Sequence, residues 1–319
     1  MNIVIIPCHR RADFLTVCLE RIMAADGASE NFYIIAVDRG YAPEVLSVAR
    51  LFPLPKLVHV APRHPFTGPS YNILEAYREA LRMMPRLDAR RIYLIEEDVW
   101  ISKDFFRWHE QAAEKFRPLI ASCCRNQNER SESDSINALA STPLQFGLVE
   151  PAIVYEHLSY QSLGVSFDPM FLSLLMHYVT EDYYRDMVEY CKANFPPSHI
   201  PEANAEQDGL IHRVCLRYGA RTLYAAAPRA FHAGFTGANR DGRGLTGSLM
   251  ERVRALKEMT AEEMNALAPE EFADIVPCDP EGYGEVELRL PDAEWGIRQI
   301  ARKILETRGV ESLANAEPP

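Results

Sequence analysis

Three adjacent carboxylates, Glu96-Glu97-Asp98, follow the apolar run Ile92-Tyr93-Leu94-Ile95. Side by side they repel one another, and at the mouth of a sheet such a cluster is costly without a cation. Hard divalent ions take oxygen ligands, and Mg²⁺ or Mn²⁺ commonly joins one or two carboxylates to substrate phosphates. The plainer alternative is a solvated acidic turn capping the helix that follows, where negative charge meets the positive end of the helix dipole. Other polar clusters punctuate the chain in the same way: Pro7-Cys8-His9-Arg10-Arg11, Asp38-Arg39-Gly40, and Arg63 to Gly68. Each follows an apolar run that cannot itself carry chemistry. Further along, Asn204-Ala205-Glu206-Gln207-Asp208-Gly209 precedes an amphipathic stretch, and the glycine-rich segment Phe235–Gly247 holds Arg240 and Arg243. Flexible glycine with arginine suits a lid over a pyrophosphate that keeps water out; an ordinary surface loop is the alternative.

These clusters need a frame. Asn2–Ile6, Phe32–Val37, Leu57–Val60 and Arg91–Ile95 read as short buried strands. Between them lie helical patterns: Phe14, Leu15, Cys18, Leu19 and Ile22; then Val45, Val48, Ala49 and Phe52; then Thr67 to Met84, stopped by Pro85. A helix over Lys103 to Phe116 follows the acidic triplet. Strands alternating with helices at this spacing demand right-handed crossovers and a parallel sheet. Ligands of such sheets bind beyond the carboxyl ends of the strands, where strand order reverses, and that is where the polar clusters fall. The second half is less regular, with helices over Phe171–Met176, Glu181–Ala193 and Glu206–Tyr218 and a strand at Thr222–Ala226. Asn126–Asp134 reads as a loop and Phe235–Gly247 as a mobile one.

In this order the clusters resemble the nucleotide-sugar half of the GT-A glycosyltransferases, most like the N-acetylglucosaminyltransferase I type and family 2-like enzymes. Pro7 to Leu15 is similar to the family's P-x-(Y/H)-N-R-x-x-x-L opening, with Arg10 where many relatives carry Asn. Val37-Asp38-Arg39-Gly40 and Gly68 to Ala76 follow in sequence, and Glu96-Glu97-Asp98 resembles the D-x-D or E-D-D metal motif. The resemblance implies a GT-A (Rossmann-like), mostly parallel central sheet flanked by helices. It places Pro7, Cys8, His9 and Arg11 around a base and phosphate pocket, Asp38 on the uracil or ribose, and Asn72 near the donor. Glu96 belongs to the same donor set, and Glu97 and Asp98 would face ribose and metal, Asp98 being the direct ligand. On the residues alone, Asp38 could merely start the turn at Gly40, and Asn72 could be a surface residue. The resemblance further implies that Asp208 is the general base of an inverting enzyme, with Glu206 the runner-up, and that His232 is a further metal ligand. Without it, an acid at a helix start is an ordinary dipole partner and a lone histidine is ordinarily structural. Gly164 and Ser166, between the metal motif and the base, stand where family members line donor sugar and acceptor.

Composition bounds the rest. The 319 residues are 47% hydrophobic and 25% charged, enough to build a sizeable core. Lys+Arg at 34 against Asp+Glu at 45 gives a net charge of −11, which argues against broad, sequence-independent grip on nucleic acid, although Arg63-His64, Arg125 and Arg130 offer a local basic edge. No run approaches the ~18 apolar residues of a membrane span. Seven scattered cysteines without metal-finger spacing, and a start lacking signal-peptide character, fit a reduced, cytoplasmic protein. The domains expected are a GT-A unit over 1–247 (1–120 nucleotide-sugar half, 121–247 acceptor and catalytic half) and a helical appendage over 248–319. The expected activity is metal-dependent transfer of a sugar from a nucleotide-sugar, a UDP-sugar with Mn²⁺ or Mg²⁺, to an acceptor hydroxyl with inversion. The acceptor stays open among saccharide, lipid carrier, protein and a hydroxylated nucleic-acid base. Two other classes remain: a nucleotidyltransferase, which would want a glycine-rich loop where Pro7–Arg11 has no glycine, and a non-catalytic nucleotide-sugar binder.

Overall fold

Four apolar runs of the N-terminal half become the parallel part of one large sheet. A computed structural model describes residues 1–61, 68–122, 154–157, 160, 162–225, 229–232, 236–237, 240–241 and 287. Strands β1 (Ile3–Cys8), β2 (Phe32–Val37), β3 (Lys56–Val60) and β4 (Ile92–Leu94) pair in parallel in the order β3-β2-β1-β4. Successive side chains of a strand point to opposite faces, so β1, β2 and β4 each feed two cores, while β3 lies at the half-buried edge. Val4, Ile6, Tyr33, Ile35 and Tyr93 pack beneath α1 (Ala12–Ala24) and α2 (Pro43–Leu51), whereas Ile3, Ile5, Ile34, Ile92 and Leu94 pack under α3 (Pro69–Leu87). Burial on both faces is why these strands read as continuous apolar runs rather than as alternating ones. The residues assigned to the buried face of α1, namely Phe14, Leu15, Cys18, Leu19 and Ile22, are the ones it buries.

The second half extends the same sheet and mixes its direction. After β5 (Val99–Ile101) and α4 (Phe105–Phe116) come β6 (Ile120–Ser122), β7 (Val154–His157) and β8 (Val165–Phe167). Helices α5 (Pro169–Met176), α6 (Glu181–Arg185), α7 (Met187–Asn194) and α8 (Gln207–Tyr218) precede β9 (Thr222–Ala225) and β10 (Ala230–His232). The full order is β3-β2-β1-β4-β8-β6-β9-β7, with β8 antiparallel to both β4 and β6. The expected α/β class, a mostly parallel sheet flanked by helices, is what the chain adopts.

Several local expectations need correction. Pro85 does not stop α3, because it lies two residues before the helix end, where one lost hydrogen bond is tolerable; the stop comes at left-handed Asp88, with φ 47°. The helix expected over Glu181–Ala193 is two helices, split where the Asp186 carboxylate accepts the Glu189 N–H and starts α7. The residues directly after the acidic triplet form strand β5, paired antiparallel with β10, so the triplet does not cap a helix. Part of the glycine-rich segment is a small hairpin, Thr236–Gly237 against Arg240–Asp241. The appendage expected over 248–319 lies outside the described residues apart from Glu287, as do Arg243, Arg63-His64, Arg125, Arg130 and the loop Asn126–Asp134.

Candidate functional site

Sheet order reverses between β1, whose successors β2 and β3 run to one side, and β4 on the other. The loops leaving β1 and β4 therefore meet, and their side chains lock together. Arg11 donates from Nε to Glu97 Oε1 at 2.9 Å and from a terminal nitrogen to Asp98 Oδ2 at 2.7 Å. Glu97 Oε2 accepts the His9 backbone N–H at 3.0 Å. Burial works to weaken the charge on Arg11, but Asp98 and then Glu97 outweigh it and hold the guanidinium charged well above its ordinary range. Glu97 and Asp98 are both buried, so this fork neutralises two desolvated carboxylates at once.

The third acid of the triplet has no such clamp. Half-buried Glu96 is pushed up to about 8, first by burial, then by the charges of Asp98 and Asp208. Asp208 lies 112 positions further along the chain, in the first turn of α8. It keeps access to solvent through the cleft, yet the walls crowd out enough water to push its carboxyl up to about 6. The fold thus gathers Glu96, Asp98 and Asp208 into one electrostatically coupled group at the carboxyl ends of the parallel strands. The backbone of His232 in β10 lies opposite Val99, the residue after Asp98.

The first turn of α8 is anchored from several sides. The Gln207 N–H donates to Ser70 Oγ on α3 at 3.2 Å, and the Gln207 amide donates to the Tyr160 hydroxyl at 3.4 Å. Ser162 Oγ donates to Asp208 Oδ2 at 3.2 Å. Arg213, one turn on, donates to the carbonyls of Pro201, Asn204 and Gly209 and straps the preceding loop to the helix. Gly209 lets that loop approach: a Cβ here would stand 1.9 Å from the Asn204 carbonyl oxygen. Gly209→Ala is therefore expected to destabilise the chain by about 1–3 kcal/mol through overpacking, read as a lowered denaturation midpoint at unchanged m-value.

Other expected site residues are placed differently. Cys8 turns its thiol into the core against the Ala36 carbonyl, so it does not line an open pocket with its side chain. Asn72 is no surface residue: it is 2% exposed and its amide donates to the Ala36 carbonyl at 2.9 Å, tying α3 to β2, while its Oδ1 is buried without a partner. Glu97, expected at the ribose, has both oxygens engaged by the β1 loop. Asp38 is buried and accepts the Arg39 N–H at 2.7 Å, beside Gly40 with φ +73°. Pro7 accepts the Glu97 N–H through its carbonyl, and the His9 carbonyl accepts the Ala42 N–H. Ser166, expected on the sugar wall, is fully buried between Arg91 and His109. Glu206 is the exposed N-cap of α8 and makes no capping bond with its side chain. Arg240 sits in the small hairpin. Tyr160, Ser162, Gln207 and Tyr77 were missed, since nothing in their spacing marks them; Asp208 raises the pKa of both tyrosines, though burial does more.

Among the described residues no three His, Cys, Asp or Glu side chains form a complete metal cage. The donor chemistry still fits a hard divalent ion that takes one protein carboxylate and fills its shell with phosphate oxygens. Four acids meet here with Arg11 clamping two of them, and the Glu96 carboxyl is raised first by burial and then by the charges of Asp98 and Asp208.

No protein-family model matches the sequence, and no curated protein matches it. Solved structures do. One is Staphylococcus aureus TarS 1-349 in complex with UDP, at 11% identity and TM-score 0.45, covering 72% of this chain. The chain spans 60% of that protein's length. The UDP-GlcNAc complex of the same protein matches at 13% identity and TM-score 0.47, over 96% of this chain and 81% of that one. A CMP:2-keto-3-deoxy-manno-octonic acid synthetase complexed with CTP matches at 14% identity and TM-score 0.39, over 81% of this chain and 99% of that one. Among the described residues no helix is long and apolar enough to cross a membrane.

Proposed function

We propose that this chain is a GT-A-type glycosyltransferase that moves a sugar from a nucleotide-sugar, a UDP-sugar by its motifs, to an acceptor hydroxyl with inversion. The observation that carries the reading is the convergence of Asp208 with Glu96 and Asp98 at the point where strand order reverses. Arg11 offsets part of the burial that raises Glu97, pairs with Asp98 and fixes the β4 loop against the β1 loop. Asp98, with His232 from β10, would hold Mn²⁺ or Mg²⁺. Bound there, the ion would neutralise charge developing on the departing diphosphate. Asp208 takes the proton of the acceptor hydroxyl as it attacks, and a carboxyl near 6 is matched to that task at neutral pH. His9 and Asp38 line the mouth between β1 and β2 where the nucleoside would lie, and Arg240 and Arg243 suit the pyrophosphate.

The test is calorimetric titration with UDP, CTP and GDP, with and without Mn²⁺, followed by release of UDP from UDP-sugars. Mn²⁺-dependent binding of UDP and slow donor hydrolysis are expected. A preference for CTP would turn the reading to nucleotidyl transfer, and binding without turnover to a carrier. Asp98→Asn keeps a partner for Arg11 in a buried place and removes only the charge. It is expected to weaken UDP binding in Mn²⁺ by at least 10–100-fold and to leave metal-free binding unchanged. Equal Mn²⁺-dependent affinities for both proteins would rule out Asp98 as a ligand.

A further inference from the structure

We propose that Ser162 is a positioning residue for Asp208, its hydroxyl holding the carboxylate out in the cleft. The proposal rests on the reading of Asp208 as the base. An acid in the first turn of a helix has an easier option, which is to fold back on the unpaired N–H groups and dipole of its own helix. Here the hydrogen bond comes from another element. Ser162 precedes β8, lies 46 residues away in sequence, is nearly buried and donates to Asp208 Oδ2 at 3.2 Å. Asp208 is thereby spanned between α8 and the strand that joins the two halves of the sheet.

The bond also acts on charge. A donor to the ionised form favours that form and offsets part of the desolvation of the cleft. The other groups that act electrostatically on this carboxylate, or are acted on by it, are Glu206 on its own helix, Glu96 after β4, Tyr77 on α3, Tyr160 before Ser162 and Tyr183 on α6. Glu206 opposes ionisation of Asp208, Asp208 in turn raises Glu96, and the three phenols stay protonated because burial holds them so. Ser162 is thus a donor fixed on the carboxylate by tertiary structure, whereas neighbouring Gln207 belongs to the same helix turn.

The test uses the full-length protein, with ¹³C-labelled aspartate carboxyls followed by NMR against pH and the Asp208 signal assigned by its loss in Asp208→Asn. Ser162→Ala is expected to raise the Asp208 midpoint by about one pH unit, and Ser162→Thr, which keeps the hydroxyl, to restore it. With UDP-GlcNAc and UDP-glucose hydrolysis as the kinetic probe, Ser162→Ala is expected to lower kcat about threefold at pH 6.5, the loss of ionised Asp208 that a one-unit rise causes there, with UDP–Mn²⁺ affinity unchanged. An unmoved midpoint in a folded Ser162→Ala protein overturns the proposal, as does a Thr variant that behaves like Ala. Failure of the base reading looks different, since the midpoint would still shift while Asp208→Asn turned over normally.

Discussion

Asp208→Asn is expected to lower turnover by about 10²–10⁴-fold while leaving UDP–Mn²⁺ affinity near that of the parent protein. The amide keeps the size of the carboxyl but cannot take a proton at neutral pH. The carboxyl titrates near 6 in the free protein, so kcat/KM of the parent protein should rise with pH through about 6 and level off above it. That limb should vanish in the Asn variant. Glu206→Gln should do much less, because Glu206 is exposed at the N-cap of α8 and acts on the site only through its charge on Asp208. Single-turnover transfer, with donor binding measured separately, decides the matter. Near-normal transfer by the Asn variant removes Asp208 as base and favours a retaining, front-side reaction. Product stereochemistry gives an independent check, since direct displacement on an α-linked donor must yield a β-linked product.

The parallel half of the fold was legible because β1, β2 and β4 are buried on both faces and each helix repeats apolar residues at helical spacing. Phe32–Val37 could be bounded to the residue, as the polar neighbours Asn31 and Asp38 flank six residues of an apolar run. Strand β5 was hidden: Val99-Trp100-Ile101 is too short to show a period, and its partner β10 lies more than 120 residues away. The acids of the site were visible as types in suggestive places. Their division of labour was not, because it depends on which carboxylates Arg11 reaches, and a fork over two adjacent acids leaves no mark on spacing. The same holds for Ser162 and for buried Asn72. A polar residue that serves the frame and one that serves a ligand have the same letter, and only the partner distinguishes them.

Arg11→Ala is expected to destabilise the chain by about 3–5 kcal/mol at pH 7–8, the largest stability effect of any single change at the site. The guanidinium holds Glu97 at 2.9 Å and Asp98 at 2.7 Å, and those side chains are only 8% and 7% exposed. Its removal strands two buried like charges beside half-buried Glu96. The loss should depend on pH in a defined direction. Burial already raises the Glu97 carboxyl, and without Arg11 its folded-state pKa lies further above its unfolded value, so the folded protein binds more protons than the unfolded one between those values. Stability of the variant therefore falls as pH rises from about 4.5 upward, and the gap to the parent protein should be smaller at pH 5 than at pH 8. Arg11→Lys should recover only part of the loss, since an ammonium is a point charge and cannot fork across two carboxylates. Urea denaturation at the two pH values is the measurement. A pH-independent difference would mean that Arg11 acts through its packing over the Phe14 ring, 5.0 Å away, and that the acids find their counter-charge elsewhere.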